Sequence, residues 1–290
     1  FKQKTAYEIG VRLVGSEMCI RDRTISKLKN SSKTWVKNKE METADFTTDE
    51  FLGGKLKIKQ PAKGYRIGID TVLLASATKP RDNAKVLDLG CGVGGVSLCL
   101  LSNHPNISVV GIDLDGDLIK VAKENNLASG FEKRFKPLLG SVLDPPKSLV
   151  HNTFDVVVTN PPYLARDTSN PSPENRKISS NIETEADLAA WLRFSAKFLR
   201  PRGVISLIHR ADRLDHILAL MRMKFGGLIV CPLWPKAGHP AKRVIIFGTK
   251  GSASPIKIMP GIILHNDDGS YTTSVQSVLT GKTLLADLLG

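Results

Sequence analysis

A chain of 290 residues, 41% of them hydrophobic, is long enough to enclose one sizeable core with small additions. Its net charge of +13 is spread along the sequence, with ten Lys/Arg against five Asp/Glu in residues 1–44 and +8 on the remainder. That balance is the footprint of a phosphate-bearing partner, although it is also common on soluble surfaces. No apolar run suits a membrane span or signal segment, and Cys19, Cys91, Cys99 and Cys231 lack CxxC or Cys/His spacing. Zinc and redox chemistry are therefore disfavoured, no metal is expected, and a cytoplasmic location is.

The segment Thr5 to Arg23 looks like translated sequencing-adapter read-through, so residues 1–44 are set aside as a non-native or disordered tail. Residues 45–69 read as a leading β-hairpin, in which Leu56 to Gln60 alternates like an edge strand and Pro61 to Gly64 is turn-like. Asp70 is a good N-cap for a helix carrying Val72, Leu73 and Leu74, and it opens the main domain, expected over 70–250.

Within that domain, Val86 to Val96 reads as a buried strand, a glycine turn and the start of a helix, the first unit of a doubly wound sheet. Gly90, Gly92 and Gly95 satisfy the dinucleotide spacing G-x-G-x-x-G, a weak match by itself. Asp88 at the strand tip argues against a pyrophosphate, which its carboxylate would repel. S-adenosylmethionine, with a sulfonium, an ammonium and no phosphate, is not repelled. The next run, Ile107 to Ile112, ends in Asp113, placed to take the ribose hydroxyls of a nucleoside or to cap a helix; Asp115 and Asp117 read as caps or as further ligands.

Phe154 to Thr159 is an apolar strand that runs straight into Asn160-Pro161-Pro162-Tyr163. The prolines stiffen the chain and leave carbonyl oxygens free to accept, while the residue before each is held extended. An Asn oxygen and a proline carbonyl can together accept both hydrogens of an amino group, with Tyr163 stacking on the ring that bears it. Such an arrangement suits methyl transfer to a planar amine or amide; the alternative is an Asn-Pro turn closing a strand.

Leu164 to about Ile182 is a long polar loop, read as a substrate lid or a linker, and Trp191 and Phe194 share helical spacing with Leu188 and Phe198 as core. Gly203 to Ile208 reads as a strand, Asp212 to Met223 as a helix, and Leu228 to Val230 with Val244 to Phe247 as an antiparallel pair at the sheet edge. Residues 251–290 are expected to form a C-terminal extension: a linker, a small hairpin and a short helix.

Taken together, Asp-x-Gly-x-Gly-x-Gly at 88–94, Asp113 and Asn160 to Tyr163 look like a class I S-adenosylmethionine-dependent methyltransferase of the amino-methylating branch. Gly64 to Ala75 and Leu233 to Val244 are similar to segments of bacterial tRNA N6-adenine methyltransferases that modify valine tRNA beside the anticodon. The resemblance implies a Rossmann-like α/β fold, with a mostly parallel seven-stranded sheet and an antiparallel edge hairpin. It implies catalytic Asn160, Pro161, Pro162 and Tyr163, and cofactor contacts from Arg66, Asp70, Asp88, Gly90, Gly92, Gly94, Asp113, Leu114, Ser141 and Val142. Arg66 and Asp70 would border the methionine end, unless they only finish a hairpin and helix at the sheet edge. One departure is visible: many class I enzymes hold the adenine amino group with an acidic residue where Ser141 follows Gly140, and Asp144 lies three residues on.

The expected activity is methylation of an adenine N6 in tRNA, with Arg166, Arg176 and Lys177 in the loop and Lys236, Lys242 and Arg243 around the late hairpin gripping RNA phosphates. Glutamine methylation of a release factor, guanine N2 methylation of ribosomal RNA and DNA adenine methylation are the alternatives with the same chemistry. A nicotinamide-dependent oxidoreductase would keep the glycine turn and Asp113 but leave Asn160 to Tyr163 without a use.

Overall fold

The computed structural model describes residues 46–63, 66–161 and 185–289. The tail, Gly64, Tyr65, Pro162, Tyr163 and the segment expected as a lid or linker, with Arg166, Arg176 and Lys177, lie outside them.

The chain begins with β1 (Phe46–Phe51) and β2 (Leu56–Pro61), paired antiparallel as a two-stranded sheet of their own. Alternation does what it predicts: Leu56, Ile58 and Gln60 turn inward and Lys57 outward. The hairpin is not an edge of the main sheet, however. It is held by a side chain that imitates a strand: the Asn125 amide accepts from Lys59 N at 2.8 Å and donates to Lys59 O at 2.9 Å. The same amide nitrogen donates to Val93 O at 3.0 Å, tying the hairpin to the glycine turn.

Next come α1 (Ile69–Ala77), β3 (Lys85–Leu89), α2 (Gly95–Asn103), β4 (Ser108–Asp113), α3 (Gly116–Ala128), β5 (Phe135–Leu139) and β6 (Phe154–Thr159). They are followed by α4 (Glu185–Phe198), β7 (Leu199–Arg210), a 3₁₀ turn (Ala211–Arg213), α5 (Leu214–Met221), β8 (Phe225–Trp234) and β9 (Arg243–Lys250). The helix expected over 212–223 therefore starts later, because a 3₁₀ turn precedes it. In space the strands run β5-β4-β3-β6-β7-β9-β8, with β9 antiparallel to both of its neighbours and every other adjacent pair parallel. Those are the seven strands expected. Two short ones, β10 (Lys257–Ile258) and β11 (Ile262–Ile263), both lie parallel to β8 and raise the sheet to nine.

Helices cover both faces, so central strands are buried throughout; all six residues of β6 are buried. One core gathers the hairpin, α1, α2 and the sheet face beneath them. The other joins Leu87, Leu89 and Ile112 to Trp191, Phe194 and Phe198 of α4, as their spacing predicts.

One expectation needs correction. Asp70 does not cap α1: Gly68 occupies the N-cap without a side-chain bond, and Asp70 sits in the first turn with its carboxylate committed elsewhere. Residues 251–290 belong to the same compact unit as the rest of 45–290. Val275 of α6 (Thr273–Leu279) and Leu285 of α7 (Leu285–Leu288) are fully buried in the first core, and Leu285 N donates to Ser76 Oγ of α1 at 2.7 Å.

Candidate functional site

The chain leaves β3 toward β4 and returns to β6 on β3's other side, and at such a switch point the loops beyond the strands part. A cleft opens there, lined by Gly90, Cys91 and Gly92 after β3, by Ile67 and Thr71 around the start of α1, and by Asn160 after β6.

The glycine turn is built by backbone conformation. Gly90 has φ of 76°, and a Cβ there would lie 2.6 Å from the Trp191 ring beneath it. Gly92, at φ of 54°, has nothing within 4 Å of that position, so its backbone faces open space. Gly90 N and Cys91 N donate to Ile112 O at 2.9 and 3.0 Å, and Gly92 N donates to Asp113 Oδ2 at 2.8 Å. Asp115 N donates to Asp113 Oδ1 at 3.0 Å. The Asp113 carboxylate thus joins the two loops, and burial above all pushes its pKa up. With about four acceptor sites on a carboxylate, it retains acceptor capacity beyond its backbone donors for a hydroxyl. Asp115 caps α3, accepting from Asp117 N and Leu118 N, whereas Asp117 pairs with Lys120.

Asp88 does not reach the cleft. It is 1% exposed, and its Oδ2 accepts from Ser97 N at 3.1 Å and Ser97 Oγ at 2.7 Å. The N-cap of α2 is Gly94, which has no side chain to cap with, so Asp88 satisfies the first turn from the neighbouring strand. Burial outweighs those bonds and pushes the Asp88 carboxyl up to about 7. Asn160 reaches the cleft because Thr159 Oγ1 donates to Leu89 O at 2.9 Å, fastening the end of β6 to the end of β3.

Residues 80–225 match the sequence profile of a methyltransferase domain family. The chain belongs to this family. A tRNA1(Val) (adenine(37)-N6)-methyltransferase from Actinobacillus pleuropneumoniae is 26% identical over 217 residues, covering 73% of this chain and 88% of the relative. The similarly named protein of Porphyromonas gingivalis is 31% identical over 176 residues, covering 59% and 68%. Among solved structures, a predicted O-methyltransferase from Agrobacterium tumefaciens superposes with a TM-score of 0.62 at 22% identity, covering 74% of this chain and 97% of that one, a likeness of fold. The protein is thus a class I S-adenosylmethionine-dependent methyltransferase, and the expected fold is the observed one.

In this methyltransferase the remaining candidate residues are distributed as follows. Arg66 turns to the leading hairpin, donating to Thr47 Oγ1 at 2.8 Å, Pro61 O at 3.0 Å and Asp49 Oδ2 at 2.5 Å. Asp70 accepts from Arg243 Nε at 2.9 Å. These contacts place Arg66 against the hairpin and Asp70 in an ion pair with Arg243. Leu114 is half exposed beside Asp113, and Val142 packs partly against the second core. Ser141 Oγ accepts from Leu143 N at 3.2 Å and Asp144 N at 3.0 Å, holding the turn after β5. Lys236 Nζ donates to Asp267 O at 2.8 Å, while the Lys242 side chain is exposed.

Thr71, Ile67 and Cys91 were missed as cleft residues, as was Asn125 as the brace behind it. The first three lie within motifs already noticed, and only their facing was absent. Nothing in the sequence marks Asn125. Among the described residues no group of His, Cys, Asp and Glu is arranged to hold a metal ion, and no helix is long and apolar enough to cross a membrane.

Proposed function

We propose that this methyltransferase modifies the exocyclic N6 of an adenine in tRNA. The observation that carries the reading is the placement of Asn160 at the end of β6, in the same cleft as Gly90 and Gly92, the latter bonded through its amide to Asp113. The names of the relatives, at 26–31% identity, support the choice of substrate.

The residues fit S-adenosylmethionine. Gly92 offers open backbone and Asp113 retains acceptor capacity for ribose hydroxyls, whereas Asp88, sealed against Ser97, does not face the cleft and its expected repulsion of a phosphate does not operate there. When bound, the cofactor supplies a methyl group made electrophilic by its sulfonium. Asn160's amide oxygen and the Pro161 carbonyl accept the two amino hydrogens of the adenine, drawing the nitrogen lone pair out of conjugation with the ring. Acceptance strengthens as positive charge develops on the nitrogen, so the stabilisation is greatest in the transition state. No side-chain base is required beforehand, because the methylated nitrogen is acidic enough to lose its proton to water. Tyr163 takes the stacking role in this reading, Pro162 stiffens the turn, and Lys242 contacts RNA phosphate. A base extruded from a loop costs less to expose than one in a duplex, which suits a chain without a dedicated opening domain among its described residues.

Incubation with labelled S-adenosylmethionine and unmodified total tRNA, followed by nucleoside mass spectrometry, tests the proposal. The expected product is N6-methyladenosine, falling about 100- to 1000-fold in Asn160→Ala while S-adenosylhomocysteine binding persists. Label in a protein glutamine and none in tRNA overturns it.

A further inference from the structure

Behind the cleft, two amide side chains join the leading hairpin to the segments that shape it. Gln60 of β2 and Asn125 of α3 are 1% and 2% exposed, and a buried amide left without partners is costly. Both are well supplied. Asn125 bonds both backbone groups of Lys59 and, with the same nitrogen, Val93 O of the glycine turn. Gln60, the next residue along β2, accepts at Oε1 from Ile67 N at 2.8 Å and donates from Nε2 to the Asp49 carboxylate of β1. Consecutive residues of one strand therefore reach two segments that line the cleft, Val93 through Asn125 and Ile67 directly.

Those two segments are packed against each other. A Cβ on Gly95, the first residue of α2, would lie 2.7 Å from Ile67 Cδ1 and 3.1 Å from Thr71 Cγ2. With no side chain at Gly95, Ile67 and Thr71 close directly against the start of α2, and a contact this tight passes on any shift of its backing. The backing is the hairpin. Gln60 holds the Ile67 amide, and Arg66 just before it is bonded to Thr47, Pro61 O and Asp49. No strand of the main sheet pairs with β1 or β2, so side chains fix the hairpin in place: Leu56 and Ile58 in the first core, and these two amides.

We infer that Gln60 and Asn125 are positioning residues for the cofactor, through which the β1–β2 hairpin acts as one strut setting the spacing between the glycine turn and the Ile67–Thr71 wall. Neither side chain lines the cleft, and each acts through the backbone group it holds. A binding site keeps its geometry only where the residues that shape it are themselves held, and a misplacement of about 1 Å is enough to be felt. Because both grips belong to one strut, releasing either should free the two walls from each other, and releasing the second should add little.

The test is S-adenosylhomocysteine binding to the full chain, measured by titration calorimetry well below the melting temperature. It involves no RNA, so its outcome is separate from that of the proposed substrate. Asn125→Ala and Gln60→Met are each expected to weaken binding about tenfold, and the double variant by little more than either alone. Gln60→Met keeps the buried volume, so it decides the matter where Asn125→Ala is recovered unfolded. Ile217→Ala, a cavity in the second core on α5, is the control: it is destabilised too, yet its folded molecules should bind as wild type does. Unchanged affinity in folded Asn125→Ala and Gln60→Met would reduce the amides to a structural role and overturn the inference. Losses that multiply in the double variant, to about a hundredfold, would overturn the single strut.

Discussion

The two strand ends that flank β6, taken as two walls, are made differently. On the β3–β4 side almost every polar group is spent on its neighbours: loop amides on Ile112 O and Asp113, and Asp88 on Ser97. On the β7–β9 side the groups are long cations, a third exposed at Arg210 and Arg243, in ion pairs with Asp212 and Asp70. The first wall sets a shape and the second sets a potential. A nucleoside cofactor with fixed geometry needs the former, and a flexible polyanion is adequately met by the latter.

The largest expected effect tests whether shape governs the first wall. Gly90→Ala must accept both a left-handed backbone and a Cβ 2.6 Å from Trp191, whereas Gly92→Ala meets only the backbone cost. The backbone contributes about 1–2 kcal/mol and overpacking about 1–3 kcal/mol, so Gly90→Ala should destabilise by roughly 2–5 kcal/mol and Gly92→Ala by about 1–2 kcal/mol. Denaturant unfolding of the two variants provides the comparison. Equal losses would mean that Trp191 yields easily and that the wall is softer than its packing suggests.

Next in size is the pH response of Asp88. Its folded pKa, about 7, lies above the ordinary carboxylate value of 3.8, so the folded protein keeps an extra proton between those limits. The associated stability is fully present below about pH 4 and is lost as pH rises through 7, by at most about 4 kcal/mol. Asp88→Asn retains an oxygen for Ser97 and has no such titration. The difference in melting temperature between wild type and Asp88→Asn should therefore shift in the variant's favour from pH 4 to pH 8. A constant difference would show that the carboxylate titrates normally in place.

The first wall was also the more legible in sequence, for the same reason. Glycines that need positive φ leave a spacing, and a strand ending in Asp113 leaves a register, so Gly90, Gly92 and Asp113 could be found without knowing their neighbours. The facing of Asp88 could not be found, because β3 is buried on both sides and its apolar run does not say which way each side chain points. The partner of Asp70 was hidden by distance along the chain: Arg243 lies 173 residues away, and a local reading prefers the cap. The fold of residues 251–290 onto the sheet was equally hidden, since strands of two residues have no periodicity to detect. Charge identified Lys242 and Arg243 as basic but gave no sign that Arg210 would stand opposite Arg243.

The smallest effect tests whether the second wall is electrostatic in kind. A double-mutant cycle on Asp70→Asn and Arg243→Gln isolates their coupling from the other contacts each residue makes. The pair is 19% and 33% exposed, so water and salt reach it, and a coupling of about 1 kcal/mol or less is expected. It should shrink further between 50 and 500 mM salt, as screening shortens the reach of exposed charges. A buried, geometrically locked pair would behave otherwise, with a coupling of about 3 kcal/mol or more that salt hardly alters. That result would make this side a second rigid wall, with Asp70 and Arg243 bolting α1 to β9. Weak, salt-sensitive coupling would instead leave the Arg243 guanidinium able to exchange a carboxylate for a phosphate at little cost, as contact with RNA requires.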